Sequence, residues 1–288
     1  MKQAMFWKSL KDKTVQCQLC PHFCTIKKEE KGKCNARKNE NGKLISLVYG
    51  KPCSLAIDPI EKKPLYHFHS GEKAFSLATI GCNLFCKHCQ NWQISKGDIE
   101  KIPHNLVSPE QIISIVKQSK CKIIAFTYTE PTIFYEYMLD IAKLAKQQSI
   151  KTVMITNGFI NPDPLKKLFP YIDAFNIDIK SINEEFYKNI CGATLKPVLE
   201  TIKQVYKSKK HLELTNLIIP GYNDQESDIE NLVSWVIKNL DKNIPLHFSA
   251  FYPCHQLKDI SSTNPKKVLN ALKIAKKLGM KNVYTGNI

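Results

Sequence analysis

The sequence predicts an α/β protein built on a parallel sheet, with a small cysteine-rich segment in front of it. From residue 74 onward, apolar runs of strand length alternate about six times with amphipathic segments of helix length, which is typical of repeated strand–helix units. The first 70 residues lack this alternation and hold five cysteines. We therefore predict a metal-binding segment at 1–70 and a core domain at 71–288, whose sheet is a partial or full barrel or an open sheet.

Six apolar runs are the predicted strands, and each is six to eight residues long. A seventh and shorter run, "NVYTG", lies near the C-terminus. The six runs cover residues 74–80, 122–128, 151–156, 174–179, 212–219 and 245–251.

Three of the intervening helices carry recognisable end or packing signals. Ser108 is predicted as an N-cap, with Pro109 at the first helical position and Gln111 completing a capping box. Gly279 is predicted to end the last helix. A third helix carries four apolar side chains spaced for one face, which are Ile229, Leu232, Val233 and Val236.

The charge pattern favours a solvated lysine-rich surface over a nucleic-acid interface. The chain carries 42 basic and 26 acidic residues, a net charge of +16, yet Arg37 is its only arginine. Arginine makes the bidentate contacts that nucleic-acid recognition uses most, whereas lysine is a hydrated point charge. The lysines are scattered along the helices without interleaved aromatic residues, so nucleic acid is not expected as a partner.

The sequence shows no apolar run long enough for a signal peptide or a membrane span. We therefore expect a cytoplasmic protein without membrane association. We also expect the protein to be a monomer. Eleven cysteines in a reducing compartment indicate metal binding rather than disulfides.

Three cysteines, Cys82, Cys86 and Cys89, form a C-x3-C-x2-C array directly after the first predicted strand. Thiolates hold [4Fe–4S] clusters, and three of them leave one iron with an open position for a substrate or cofactor. The alternative is a zinc site that takes a distant fourth ligand. The array's place favours the cluster, because working residues in parallel α/β barrels follow the strands.

Polar residues also stand at the ends of other predicted strands. Glu130 follows the second, Asn157 the third, and Asp178 with Lys180 ends the fourth, while His247 lies within the sixth. Because the carboxyl ends of parallel barrel strands meet at one rim, we expect a common site there. Taken singly, Glu130 and Asp178 could equally cap the helices that follow them, and His247 could be a hydrogen-bonded core histidine.

A second cysteine group supplies four thiols within a short lysine-rich segment too small to fold on its own core, and its members are Cys17, Cys20, Cys24 and Cys34. Four thiols are a complete ligand set, so a metal is predicted. Zinc and a second Fe–S cluster both fit four sulfurs, and the sequence leaves the choice open. The remaining cysteines are predicted to be small buried hydrophobic residues, and they are Cys53, Cys121, Cys191 and Cys254.

The chain resembles the radical S-adenosylmethionine (SAM) superfamily in the segments "GCNLFCKHCQNWQIS", "YTEPTIFYEY", "DAFNIDIK", "LTNLIIPGYND" and "HFSAFYP". Within the superfamily it is similar to the group related to pyruvate formate-lyase activating enzyme. The subgroup called the AmmeMemoRadiSam system radical SAM enzyme is resembled further in "CQLCPHFC", "DPIEKKPLYHFHSG" and "VYTGNI". The resemblance covers nearly the whole chain and implies a partial (β/α)6 TIM-like barrel.

The resemblance also implies a chemistry. A [4Fe–4S] cluster on the three-cysteine array would bind SAM and cleave it reductively to methionine and a 5′-deoxyadenosyl radical. That radical would abstract hydrogen from a protein residue, as in glycyl-radical activation, or from a small molecule. Tyr128 and Thr129 stand where the family has two glycines. The implied SAM-pocket residues are Glu130, Thr156, Asn157, Asp178, Lys180 and His247.

The resemblance suggests partners as well: flavodoxin or ferredoxin as electron donor, and Memo-like and AMMECR-like proteins. Two alternative functions are a radical SAM enzyme that modifies RNA and a non-catalytic zinc protein that binds nucleic acid. The RNA-modifying function is disfavoured because the chain has only one arginine and no recognisable RNA-binding module. The colour of the purified protein would distinguish a radical SAM enzyme from the zinc protein, because an iron–sulfur protein is brown and a zinc protein is colourless.

Overall fold

The computed structural model describes residues 2–99 and 105–288. Within these residues the strands are β1 (Lys2–Gln3), β2 (Trp7–Ser9), β3 (Val15–Cys17), β4 (Thr25–Ile26), β5 (Arg37–Glu40), β6 (Lys43–Ser46), β7 (Pro52–Pro59), β8 (Lys73–Thr79), β9 (Ile123–Phe126), β10 (Lys151–Thr156), β11 (Ala174–Asp178), β12 (His211–Ile218), β13 (Leu246–Ala250) and β14 (Val283–Gly286). The helices are α1 (Trp92–Ser95), α2 (Pro109–Gln118), α3 (Tyr135–Gln147), α4 (Pro162–Leu168), α5 (Glu184–Phe186), α6 (Leu195–Lys207), α7 (Glu226–Asn239) and α8 (Pro265–Lys277).

Strands β8 to β14 lie side by side in chain order, and each pairs in parallel with the next. β7 pairs antiparallel with the free side of β8. This arrangement confirms the predicted α/β fold with a parallel sheet. In the described part of the chain β7 and β14 are the two edges of the eight-stranded sheet, which is consistent with a partial barrel.

The predicted helix signals are present in the structure. The Ser108 backbone N–H donates to Gln111 Oε1 at 2.7 Å and the Gln111 backbone N–H donates to Ser108 Oγ at 3.3 Å, which completes the capping box. Gly279 follows α8 with a left-handed φ of +102°. The apolar stripe of α7 is buried along its whole length, at Ile229, Leu232, Val233 and Val236.

Strand β7 was not predicted from the sequence. It has proline at both ends, Pro52 and Pro59, and buried and exposed residues do not alternate regularly along it. Proline within sheets is confined to edges and strand ends, so the sequence alone does not favour a strand here. The strand exists because β8 pairs with it along its length, from Pro52 opposite Thr79 to Pro59 opposite Lys73, with one irregularity between Pro52 and Ser54. It therefore belongs to the barrel sheet although it precedes residue 71.

The first 50 residues form two small sheets, ordered β1-β6-β5 and β2-β3-β4. They dock on the rim where the parallel strands end. Asn161, just before α4, donates its backbone N–H to Leu19 O at 3.0 Å and its Nδ2 to Gln18 O at 2.7 Å. A fully buried ion pair between Arg37 and Glu136 joins β5 to α3. The cysteine-rich segment thus lies against the mouth of the barrel.

The segment between β7 and β8 closes the amino-terminal end of the barrel. Ile60 and Leu65 pack inside the sheet against small apolar residues such as Ala74 and Ala125. The Tyr66 and His67 backbones are held by hydrogen bonds to a buried carboxylate of β12. None of the helices in the described residues combines the length and apolarity needed to cross a membrane.

Candidate active site at the carboxyl ends of the strands

The carboxyl ends of the parallel strands surround an open cleft of about 510 Å³. Segments that are far apart in sequence, from Lys62 to Asn287, contribute to its wall. Of the SAM-pocket and array residues named from the sequence, all except His247 line this cleft. They are Cys82, Cys86, Cys89, Glu130, Thr156, Asn157, Asp178 and Lys180.

The three cysteines lie on the loop between β8 and α1, and their sulfurs are close to hydrogen-bond donors. The Leu84 backbone N–H lies 3.4 Å from Cys82 Sγ, and Asn157 Nδ2 lies 3.8 Å from the same sulfur. Ser95 Oγ lies 3.2 Å from Cys89 Sγ. Donors directed at sulfur stabilise thiolate ligands and tune the metal they hold.

The loop is also held by a π-helical turn, Tyr187–Cys191. The Phe85 backbone N–H donates to Cys191 O at 2.7 Å. A hydrogen bond with the Cys191 thiol, together with burial, raises the pKa of Cys86 well above its ordinary value. The sequence did not reveal this neighbour, because Cys191 has no ligand spacing relative to the array.

Glu130 connects two loops of the rim. Its Oε1 accepts hydrogen bonds from Thr132 N and Thr132 Oγ1 and from Thr156 Oγ1, at 2.6 to 3.0 Å. Its Oε2 accepts from Asn157 N at 2.8 Å. Burial raises the pKa of this carboxyl. Glu130 is thus both the cap of the 3₁₀ turn Pro131–Phe134 and part of the cleft wall, and Oε2 keeps capacity for one more donor.

Asp178 and Lys180 form an ion pair in the cleft wall, with Nζ 2.9 Å from Oδ2. Burial lowers the pKa of Lys180, but the negative charge of Asp178 outweighs it and holds that pKa well above its ordinary value. Lys180 is therefore a fixed positive charge at neutral pH, next to a carboxylate that is about one third exposed.

His247 is not brought to the cleft, contrary to the expectation from the resemblance. It lies near the start of β13, where its Nε2 is 2.7 Å from Oε2 of the fully buried Glu213. Its ring packs against Tyr66 and Tyr284, with centroids 4.7 and 5.2 Å away. Functional residues in this fold follow the carboxyl ends of the strands. His247 is the second residue of β13 and therefore lies near the opposite end of the barrel. The structure therefore places it in the hydrogen-bonded core.

The cleft wall also contains His88 and Tyr128, neither of which was predicted from the sequence to line the SAM pocket. His88, next to Cys89, is 4% exposed, and neither ring nitrogen has a hydrogen-bond partner among the described residues. Burial and the nearby charge of Lys180 lower the pKa of His88 to about 3, so its ring is neutral. A buried ring with two unpaired nitrogens is costly unless a ligand supplies the partners.

Tyr128 stands at the first of the two positions where the resembled family has glycine. Its φ is +65°, in the left-handed region that glycine adopts most easily. Its hydroxyl donates to Asp58, and Lys63 Nζ lies 4.3 Å from the centre of its ring. These contacts stabilise the strained backbone of Tyr128, so this residue adopts the left-handed conformation that a glycine would adopt at the same position.

The N-terminal cysteines line a second and smaller cavity, together with Arg37. All four are there: Cys17, Cys20, Cys24 and Cys34. Within residues 2–99 and 105–288, no three side chains of Cys, His, Asp or Glu converge closely enough to hold a single metal ion.

Comparisons with known proteins agree with this geometry. The family model "Radical SAM superfamily" matches residues 77–236. An uncharacterized protein of Methanocaldococcus jannaschii, MJ0808, is 46% identical over 288 residues, which is 100% of this chain and 86% of that protein. The pyruvate formate-lyase-activating enzyme of Clostridium pasteurianum is 23% identical over 69% of this chain and 88% of its own.

A solved structure shows the same fold. QueE from Escherichia coli superposes with a TM-score of 0.54 at 12% identity, over 81% of this chain and 92% of that chain. It supports the barrel architecture alone.

Membership of the matched family implies a [4Fe–4S] cluster and SAM, and the residues fit both. Cys82, Cys86 and Cys89 are the only cysteines that the described part of the chain contributes to the cleft, so a cluster held there keeps one iron for a further ligand. Glu130 and the Asp178–Lys180 pair offer both signs of charge to a zwitterion. With a matched region covering more than half of its length, this chain belongs to the radical SAM superfamily.

Proposed function

We propose that the chain cleaves SAM and uses the resulting 5′-deoxyadenosyl radical to abstract a hydrogen atom from a substrate held in the cleft. The cluster and SAM supply the radical chemistry when bound, and the protein binds, orients and shields them. One observation carries the proposal: the three-cysteine loop lines the same cleft as the charged residues of two other strand ends, Glu130 after β9 and Asp178 with Lys180 at the end of β11.

Each cleft residue has a task in this proposal. Cys82, Cys86 and Cys89 hold the cluster. Lys180 faces the carboxylate of SAM, while Asp178 and Oε2 of Glu130 receive its ammonium group, because opposite charges in a half-buried cleft favour charge-assisted hydrogen bonds. Thr156 and Asn157 keep Glu130 in position through the hydrogen bonds described above.

His88 has a task that its surroundings suggest. A neutral imidazole offers one donor and one acceptor nitrogen, and both are buried and unpaired at the cleft wall. A nucleoside presents donors and acceptors side by side on its base edge and ribose. We assign the ring of His88 to hydrogen bonding with the nucleoside part of SAM.

The nature of the substrate rests on named relatives. Pyruvate formate-lyase-activating enzyme and 4-hydroxyphenylacetate decarboxylase activating enzyme are 22–26% identical to this chain over 40–69% of it. They support hydrogen abstraction from a protein residue, as in glycyl-radical activation, with flavodoxin or ferredoxin as electron donor. Memo-like and AMMECR-like partner proteins rest on the resemblance of the sequence alone.

The proposal is tested on anaerobically reconstituted protein, by measuring 5′-deoxyadenosine formed from SAM and a low-potential reductant. We expect formation by the wild type and none by the Cys82→Ala/Cys86→Ala/Cys89→Ala variant. A matched control is Cys53→Ala/Cys121→Ala, which removes two cysteines that line neither cavity and keeps the activity. Absence of deoxyadenosine from iron-loaded wild type would refute the proposal.

The alternative functions gain no support from the structure. Arg37, the one arginine of the chain, is 1% exposed and paired with Glu136, so it is not available to nucleic acid.

A further inference from the structure

We propose that Cys17, Cys20, Cys24 and Cys34 hold a second iron–sulfur cluster, rather than zinc, and that Arg37 donates a hydrogen bond to its sulfur atoms. This site is separate from the SAM cleft and its metal content is measurable without SAM cleavage. The proposal therefore stands or falls independently of the proposed function.

The four thiols line one small and partly sheltered cavity, and apolar side chains form part of its wall. Leu19 and Ile26 contribute from the cysteine-rich segment, and Ile133 from the 3₁₀ turn that follows Glu130. Thiolate-ligated clusters are stabilised by low solvent access and by hydrogen bonds to sulfur. A sheltered space with four sulfurs and the Arg37 guanidinium on its wall offers both.

The ligand set fits a cubane, because four thiolates can hold the four irons of a [4Fe–4S] cluster. All four N-terminal thiols line the same cavity. Zinc accepts the same four sulfurs, so the choice between the two metals depends on the group that lies beside them.

Arg37 supplies the independent observation. Its Nη2 lies 2.5 Å from Glu136 Oε1, and its Nη1 lies 2.8 Å from Met5 O and 3.9 Å from Cys17 Sγ. Its Nε is buried and has no partner in the described chain, although the residue lines the cavity. A buried N–H without an acceptor is destabilising, so the site favours a group that supplies one. A cluster brings inorganic sulfides as additional acceptors into the cavity, which a zinc ion does not.

The second site also supports the first. The Cys34 carbonyl lies only 2.6 Å from where a Cβ on Gly81 would stand, so the two cysteine segments touch backbone to backbone. His22 Nε2 lies 2.7 Å from Asn83 O, inside the loop that carries the array. Any group that orders Cys34 therefore orders the neighbour of Cys82.

The test counts iron, sulfide and zinc in the full-length protein after anaerobic reconstitution. Wild type is expected to hold about eight irons, and Cys82→Ala/Cys86→Ala/Cys89→Ala about four, with an electron paramagnetic resonance signal after dithionite reduction. Adding Cys17→Ala/Cys34→Ala to that variant is expected to remove the remaining iron. One zinc per chain in place of the second four irons overturns the proposal, as does a wild type with four irons and no other metal. In either case deoxyadenosine formation by the wild type shows that the proposed function survives.

A second measurement tests the assignment of Arg37. In the variant that lacks the SAM-cleft ligands, Arg37→Lys keeps the positive charge but not the planar fork of donors. The second cluster is expected to become harder to reduce, because hydrogen bonds to sulfur stabilise the reduced state. Lys28→Arg, at an exposed residue that lines neither cavity, is the control. An unchanged midpoint potential in Arg37→Lys overturns the assignment of the donor.

Discussion

Replacing Glu213 by glutamine is expected to destabilise the barrel and to leave SAM binding unchanged. The Glu213 side chain is fully buried near the start of β12 and accepts four hydrogen bonds. The donors are the backbone N–H groups of Tyr66 and His67, at 3.1 and 2.8 Å, and Nε2 of His211 and His247, at 2.9 and 2.7 Å. Each carboxylate oxygen serves one backbone donor and one histidine.

Two estimates of the cost agree. A glutamine keeps one oxygen and turns its amide NH2 toward one backbone N–H and one histidine; the histidine can change tautomer, but the N–H stays unpaired. Losing charge-assisted hydrogen bonds and leaving one donor unpaired costs about 2–4 kcal/mol. Independently, burial raises the pKa of Glu213, but its hydrogen bonds outweigh burial and lower that pKa from 4.5 to about 2. At about 1.36 kcal/mol per pKa unit, the ionised form is favoured by roughly 3 kcal/mol.

The depressed pKa also fixes the pH range. The stabilisation is complete above the unfolded-state value near 4.5 and is lost as the pH falls toward 2, so an assay at pH 7 measures all of it. For a chain of 288 residues, about 3 kcal/mol corresponds to a melting temperature lower by about 5 °C.

The assay is thermal unfolding of reconstituted protein at pH 7, with SAM affinity measured by equilibrium dialysis on the same samples. His247→Gln is examined in parallel and is expected to lower the melting temperature without changing SAM affinity. Glu72→Gln, which removes a largely exposed ion pair with Lys122, is the control and is expected to change stability by less than about 1 kcal/mol. A tenfold loss of SAM affinity in His247→Gln would place His247 in the pocket and refute the reasoning, as would an unchanged melting temperature in Glu213→Gln.

Three further predictions concern the rim. His88→Phe keeps the ring but removes both nitrogens, so SAM affinity should fall about tenfold, the worth of one hydrogen bond; equilibrium dialysis giving the wild-type affinity would contradict the role of His88. Asp178→Asn leaves Lys180 without its counter-charge and removes a partner of the SAM ammonium, and a tenfold or greater rise in the SAM dissociation constant is expected, whereas an unchanged constant would show that the ion pair is structural. Gly81→Ala places a Cβ 2.6 Å from the Cys34 carbonyl at a φ of +108° and should lower both stability and iron retention. Gly71→Ala, at a φ of +84° with no atom within 4 Å, is the control and should lower the free energy of unfolding by only about 1 kcal/mol. Equal losses of stability in the two variants would mean that the two cysteine segments are not in close contact.

Local sequence patterns were sufficient for the frame of the molecule. All six apolar runs overlap a strand of the parallel sheet, and the run at 151–156 coincides with β10. The capping box at Ser108 uses only atoms three residues apart, so a short pattern determines it. Once strands and crossovers alternate, their carboxyl ends must meet on one side of the sheet. That is why the sequence alone predicts that Glu130, Asp178 and the cysteine array share one site.

Contacts between distant segments were not predictable in this way. His247 and Lys180 follow equally suggestive patterns, yet their positions along their strands send one to the barrel floor with Glu213 and the other to the cleft. Sequence shows that a residue belongs to a strand, but the pairing register and the level within the barrel decide which end it faces.

The sequence by itself determined the strand–helix order, the common rim and the identity of the thiols, because each depends on residues close together in the chain. Only the tertiary structure decided that β7 joins the barrel, that Cys191 touches Cys86 and that the one arginine is buried beside four cysteines. Arg37 and Glu136 are 99 residues apart, and no local pattern links them. Such pairs form because burying a charge is tolerable only beside its opposite, and the fold alone brings the two together.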